Sequence, residues 1–188
     1  MDTRERLIRS TQELLRERGY VGTSPKAIQQ RAEAGQGSMY HHFRGKPDLA
    51  LAAIRRNAEE IRARVDEQLS APGTAVERIT AYLRQERDVL GGCRVGRLAQ
   101  DPVVIAEPGL REPLDETFDW LRRRLAEVLA EGKERGELAP DLDPVDTAAA
   151  LAAVVQGGYV LARAAGSAEP FHRAVNGALD LLTARTRA

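Results

Sequence analysis

An all-α fold is predicted, on three observations. Apolar residues recur at a period near 3.6 along the whole chain. No segment alternates at period two. Gly, Pro and Ser/Asp cap signals cut the pattern into about nine helices, three of them short and within the first 50 residues. The expected architecture is an N-terminal three-helix helix-turn-helix domain over residues 1–46 and a helical domain over 47–188.

The elements follow in order. Asp2 and Glu5 form a capping-box pattern, and Leu7, Ile8, Thr11, Leu14 and Leu15 then share one helical face that Gly19 ends. Ser24-Pro25 is a cap followed by Pro at the first helical position, opening a short helix over 25–32 with Ile28 and Ala32 inward. Gly35 and Gly37 bracket a turn into Ser38-Met39-Tyr40-His41-His42-Phe43, and Arg44-Gly45 breaks the chain again. Lys46-Pro47-Asp48 opens a long helix to about residue 69, carrying Leu49, Ala53, Ile54, Ile61, Val65 and Leu69.

Beyond Pro72-Gly73, a helix carries Val76, Ile79, Tyr82, Leu83 and Val89 and stops at Gly91-Gly92. Residues 93–100 suggest a short helix closed by Asp101-Pro102, and 103–109 read as loop. Leu110, Leu114, Phe118, Leu121, Leu125, Val128 and Leu129 form a long amphipathic helix ending at Gly136. Asp143-Pro144 starts the next helix and Gly166 ends it. Glu169-Pro170 starts the last, with Phe171, Val175, Leu179 and Leu182.

Composition narrows the function. Lys and Arg number 28, as do Asp and Glu, which excludes a uniformly basic chromatin-type protein and an acidic disordered tail. Charged residues at 30% and apolar ones at 43% suit a soluble globular protein. The single cysteine, Cys93, excludes an intramolecular disulfide and argues against a Cys-based zinc site. The N-terminus enters an amphipathic pattern directly, without a signal peptide. The apolar run 147–165 is interrupted by Gln156, Gly157, Gly158 and Arg163, so it reads as a buried helix and not as a membrane span. A cytoplasmic protein without membrane contact is expected. Residues 1–48 hold nine Lys/Arg against six Asp/Glu, a net +3, while the rest of the chain is net −3. An anionic partner is expected at the N-terminal end.

Residues 24–46 have helix-turn-helix proportions. Met39 and Phe43, four apart, share one face and anchor the second motif helix, which turns Ser38, His41 and His42 outward. Gly37 lets the backbone approach a surface closely. Hydroxyl, phenol and imidazole donors beside a helix N-terminus suit phosphate and base-edge contacts.

Thr23-Ser24-Pro25-Lys26-Ala27-Ile28, Gly35 to Phe43, and Gly45-Lys46-Pro47-Asp48-Leu49 together resemble the DNA-binding domain of the tetracycline-repressor (TetR) family. The likeness extends back to Leu7-Ile8, Leu14-Leu15 and Gly19-Tyr20 and covers roughly the first 55 residues. Glu33 stands where the family usually has Gly in the turn. The stretch Gly92 to Ala99 is similar to a subgroup with drug- or flavonoid-responsive members. The resemblance implies that Lys26 reaches a base edge or phosphate, and that Gln36, Gly37 and Ser38 face bases. It implies that Tyr40, His42 and Lys46 hold phosphates, and that His41 lies at the major-groove edge.

The expected function is a dimeric repressor, bound to a palindromic double-stranded DNA operator and released by a small molecule. Small residues on the helix with Ala148, Ala149, Ala152, Ala153, Gly157 and Gly158 permit close helix approach, so homodimerisation is expected through 144–165 and 169–185. An effector pocket is expected among helices carrying Tyr82, Cys93, Leu98, Phe118, Leu121 and Gln156, suited to a hydrophobic or aromatic molecule. The alternatives are a helical enzyme or an adaptor without DNA binding. Against an enzyme, no paired Glu-x-x-His motif or nucleophile–base pair is visible, so no catalytic residue and no cofactor is expected. Against an adaptor, there are no repeats of 33–47 residues. His41-His42 lack a third metal ligand, since His172 is far along the chain, and no metal is expected. Gly35-Gln36-Gly37 fails as a dinucleotide fingerprint, because position 40 is Tyr and no strand precedes it. Cys93 after Gly-Gly reads as a small packing residue.

Overall fold

A computed structural model describes residues 2–186 of the chain. The described residues form nine α-helices and one 3-10 turn. The helices are α1 Thr3–Arg18, α2 Pro25–Arg31, α3 Gln36–His42, α4 Lys46–Leu69, α5 Ala75–Arg84, α6 Pro102–Ala106, α7 Pro108–Glu134, α8 Pro144–Ala165 and α9 Glu169–Thr183, with the turn at Leu98–Gln100. There is no strand among them, only one bridge pair between Leu138 and Thr186.

Side-chain caps start the helices where the sequence places them. Asp2 accepts from the Glu5 amide at 2.8 Å, Ser24 from Ala27 at 3.1 Å, and Asp143 from Val145 and Asp146 at 2.8 and 3.0 Å. Gly166 ends α8 in the left-handed conformation.

Three boundaries differ from expectation. Asp101-Pro102 opens a helix and does not close one: the Asp101 carboxylate accepts from Val103 and Val104, so α6 stands where loop was expected. Only the 3-10 turn forms within 93–100. Helix α5 stops at Arg84, five residues before Val89. The cause is Arg87, whose guanidinium donates to the carbonyls of Tyr82, Leu83 and Gln85 at 2.6, 2.8 and 3.1 Å. The last carbonyls of α5 thereby find partners without another turn. The same guanidinium lies over the Tyr82 ring (5.2 Å) and the Phe171 ring (5.8 Å).

The chain groups into two compact units. The first joins the residues up to Glu60 with Cys93–Glu116, and the second joins Ile61–Gly92 with the chain from Thr117 onward. Neither matches a single cut at residue 46. In the first unit, α1 packs on α2 and α3, and the 3-10 turn packs on α6. Its buried residues include Leu7, Ile8, Leu14, Leu15, Ile28 and Met39.

In the second unit, α8 packs along α9, and α5 meets α9. Val65, Leu69, Ile79, Tyr82, Leu125 and Val128 belong to its core. At Gly158 a Cβ would stand 2.8 Å from the Phe171 ring, so a larger residue would push α8 and α9 apart. Helix α8 is not wholly buried. Ala148, Leu151, Ala152, Val155, Gly158 and Ala162 face the core, while Val145, Ala149, Ala153, Gly157, Val160 and Leu161 are exposed.

Buried Arg78 ties this unit together. It donates to the Leu69 carbonyl (2.6 Å) and to the Glu131 carboxylate (2.5 Å), which holds the Glu131 pKa below its usual value of 4.5. A depressed carboxylate pKa adds stability above its unfolded value, and that contribution is lost as pH falls through the folded value. Glu131→Gln should therefore lower the urea midpoint at pH 7, and the gap to the wild type should narrow as pH falls below 4.5 and close at the pH where the folded carboxyl is protonated. A gap that persists at that pH would show that the pair's charge is not what stabilises the unit.

Candidate DNA-binding surface

Helix α3 has only seven residues, and its cap, Gly35, offers no side-chain acceptor. It is held from beneath. Met39 is wholly buried, Phe43 nearly so, and Gln29 Nε2 contacts Met39 Sδ at 3.6 Å. The Arg4 guanidinium sits 5.5 Å from the centre of the Phe43 ring.

Anchoring that face leaves the other to solvent. Gln36, Gly37, Tyr40, His41 and His42 are exposed, Ser38 is half-buried, and Lys26 is exposed on α2. A Cβ at Gly37 would meet nothing within 4 Å, so the backbone there is open to an approaching surface. The His41 and His42 rings meet edge to face at 5.0 Å.

Lys46 is placed differently. It is half-buried, with Nζ 4.0 Å from the centre of the Tyr20 ring. Burial lowers its pKa, and the nearby Asp101 carboxylate acts in the opposite sense. Arg44, which the sequence marks only as part of a break, also faces outward. It is an exposed cation two residues beyond α3, fixed at its backbone by an N–H···O bond to Asp48 at 3.0 Å. Its signal was the guanidinium next to the motif.

The turn between α2 and α3 contains the unusual Glu33. It adopts φ +50°, the left-handed region that favours Gly. Arg6 supports the turn: Nε donates to the Ala32 carbonyl at 3.0 Å, and a terminal nitrogen to the Glu33 carbonyl at 3.5 Å. A cation at the C-terminus of α2 is also favoured by the helix dipole.

The six residues expected to line a pocket are divided between the units. Leu98, wholly buried, and Cys93, half-buried with its sulfur accepting from the Gly96 amide at 3.2 Å, lie in the first. Tyr82 and Leu121 lie in the core of the second, and Phe118 and Gln156 are half-buried there. An open cavity of about 530 Å³ in the second unit is lined by other residues, among them Leu83, Gln85, Arg87, Phe171, His172 and Asn176. Trp120 is half-buried, with the Arg62 guanidinium 6.0 Å from its ring centre.

Two family models match this arrangement. Residues 7–53 match bacterial regulatory proteins of the tetR family, and residues 73–178 match the tetracyclin repressor-like C-terminal domain. The chain belongs to the TetR family. Its members are transcriptional regulators. The HTH-type transcriptional repressor NemR of Escherichia coli is 28% identical over 181 residues, covering 93% of this chain and 90% of that protein. The HTH-type transcriptional regulator LmrA of Bacillus subtilis is 29% identical over 177 residues, 90% of each chain. Among solved structures, a TetR transcriptional regulator from Chloroflexus aurantiacus has a TM-score of 0.87 at 29% identity, covering 98% of this chain and 96% of its own. The reduced form of E. coli NemR has a TM-score of 0.83 at 26% identity, covering 95% of each.

Within the TetR helix-turn-helix, Glu33 marks a local strain. Glu33→Gly should raise stability in urea by about 0.5–1 kcal/mol, the left-handed penalty less the entropy of glycine. A loss of stability would show that the left-handed backbone at Glu33, held by Arg6 at its carbonyl, costs less than the entropy that glycine adds.

Proposed function

We propose that the protein is a homodimeric, cytoplasmic repressor that binds a palindromic operator through α2 and α3 and is released by a small molecule. It is not an enzyme. One observation carries this reading: a short helix anchored by Met39 and Phe43 turns Gln36, Gly37, Tyr40, His41 and His42 outward together. Gln36, Gly37 and Ser38 face bases, Tyr40 and His42 bind phosphate, and His41 lies at the groove edge. Lys26 meets a base edge or a phosphate. Lys46 serves phosphate from its place on Tyr20, and Arg44 adds a second cation.

One such motif makes too few base contacts for operator specificity, so two copies must bind together, with half-sites roughly 34–36 Å apart or a small multiple of that. Helices α8 and α9 supply a pairing surface. They border a groove that includes Leu151, Val154, Ala174, Gly177, Ala178 and Leu181. Leu181 is 75% exposed and Val145 68%. Exposed apolar area of this kind on a soluble chain marks an interface.

The effector is assigned to the second unit, which holds the open cavity and where Tyr82, Phe118, Leu121 and Gln156 lie. Apolar Leu83, Val89, Phe171 and Val175 with a few polar groups suit a hydrophobic or aromatic molecule. Helix α4 is continuous from Lys46 beside the motif to Leu69, a core residue of the second unit. A tilt of α4 would change the separation of the recognition helices. Releasing DNA about 100-fold requires a coupling free energy of roughly 2.7 kcal/mol.

Base and phosphate contacts are separable by titration with salt on the DNA upstream of the protein's own reading frame. Arg44→Ala and Lys46→Ala should each reduce the slope of log K against log salt by about 1, whatever the DNA sequence. Tyr40→Phe should cost about 1 kcal/mol, and Gln36→Ala should change which bases are preferred. A changed base preference with an unchanged slope for either cation would reverse the assignment. In sedimentation velocity at micromolar concentration the wild type should run as a dimer and Leu181→Glu as a folded monomer with weakened operator binding. A monomeric wild type would overturn the dimer reading.

A further inference from the structure

Asp101 is a buried carboxylate that belongs to no motif and is distant in sequence from the DNA-binding helices, yet it is joined to them. Its Oδ2 accepts from the backbone amides of Tyr20 and Val21 at 2.8 and 3.1 Å. Its Oδ1 accepts from Val103 and Val104 at the start of α6, at 3.1 and 3.4 Å. One side chain thus caps α6 and at the same time fixes the turn between α1 and α2.

Its neighbours reinforce the contact. Arg97 donates to the carbonyls of Arg16 and Glu17, the latter at 2.8 Å, at the C-terminus of α1 where a cation is favoured. Arg94 pairs with Glu60 at 3.0 Å. Gly19 has φ +71°, and a Cβ there would stand 3.0 Å from the Asp101 carboxylate, so a side chain at position 19 would both strain the backbone and crowd the carboxylate.

The turn so fixed leads straight to the DNA-binding groups. Thr23 bonds back to it, its amide to the Tyr20 carbonyl at 3.2 Å and its hydroxyl to the Gly19 carbonyl at 2.7 Å. The next residue, Ser24, caps α2, on which Lys26 stands. The Tyr20 ring is the platform for the Lys46 ammonium.

We propose that Asp101, with Arg97, is a positioning latch for operator binding: from the segment 93–107 it sets the start of α2 and the seat of Lys46, and full operator affinity requires that this contact be made. This role rests on the repressor reading above. The latch acts on the pose of the motif and contributes no contact to DNA. Opening it therefore affects the operator more than DNA of unrelated sequence, which is bound through charge alone.

The test uses the full-length dimer, its upstream DNA and a scrambled duplex of equal length. Asp101→Asn keeps the size of the side chain but presents donors to a set of four amide donors. It should weaken operator binding roughly tenfold, the scale of hydrogen bonds to a charged group. Binding to scrambled DNA should fall by about twofold at most, the part carried by a displaced Lys46. Hydrogen exchange at Tyr20 and Val21 should accelerate while α9 is unaffected. Arg97→Ala should act in the same direction, and Arg97→Lys should recover operator affinity to within about twofold. A general loss of folded protein would instead reduce the active fraction and weaken both duplexes together, and that result would overturn the positioning role. So would operator affinity within about twofold of wild type in Asp101→Asn. Failure of the wild type to bind upstream DNA at all would refute the repressor reading itself, a different outcome seen before any variant is made.

Discussion

Helix α3 is too short to exist alone. Seven residues lie well below the length at which an isolated helix is even marginal in water. Its helicity comes from burying Met39 and Phe43 against the rest of the first unit. That constraint orders what surrounds it. The face that carries Met39 is committed to packing, so Tyr40, His41 and His42 are left exposed on the other. A reading element whose pose is borrowed from its supports is also one that those supports can change.

Electrostatics at the supports follow the same logic. Arg6 caps the end of α2 and Arg97 the end of α1, each a cation over helix carbonyls. Asp101 meets amide donors in the turn that joins the two helices. Backbone groups that would otherwise be orphaned at helix ends are the points of attachment. The net +3 of residues 1–48 is therefore only partly available to a polyanion. Arg6 is engaged with carbonyls and Arg31 with Glu17 at 2.7 Å, while Lys26 and Arg44 stay exposed.

Much of this was legible in the sequence where one residue's local chemistry decides the outcome. Ser24-Pro25 and Asp143-Pro144 start helices because a short acceptor and a fixed φ act within one turn. Asp101-Pro102 is the same signal and opens a helix where a stop is expected, because the apolar residues after it are too few to show a period. The end of α5 was illegible for another reason: it depends on Arg87 folding back and stacking on Phe171, a residue 84 positions away. The outward face of α3 was visible from the i, i+4 spacing of Met39 and Phe43 and from the family resemblance. The seat of Lys46 on Tyr20 was not, since nothing in either neighbourhood announces a contact across 26 positions. The expected pocket residues scattered over two units because apolar spacing reports which face is buried, not which core buries it.

The repressor proposed above requires two copies of this motif to read one operator together. Hydroxyl-radical footprinting of the upstream DNA tests it most directly. The prediction is two protected patches on one face of the duplex, related by a two-fold axis and separated by about one helical turn or a small multiple. A single patch of protection at saturating protein would contradict it.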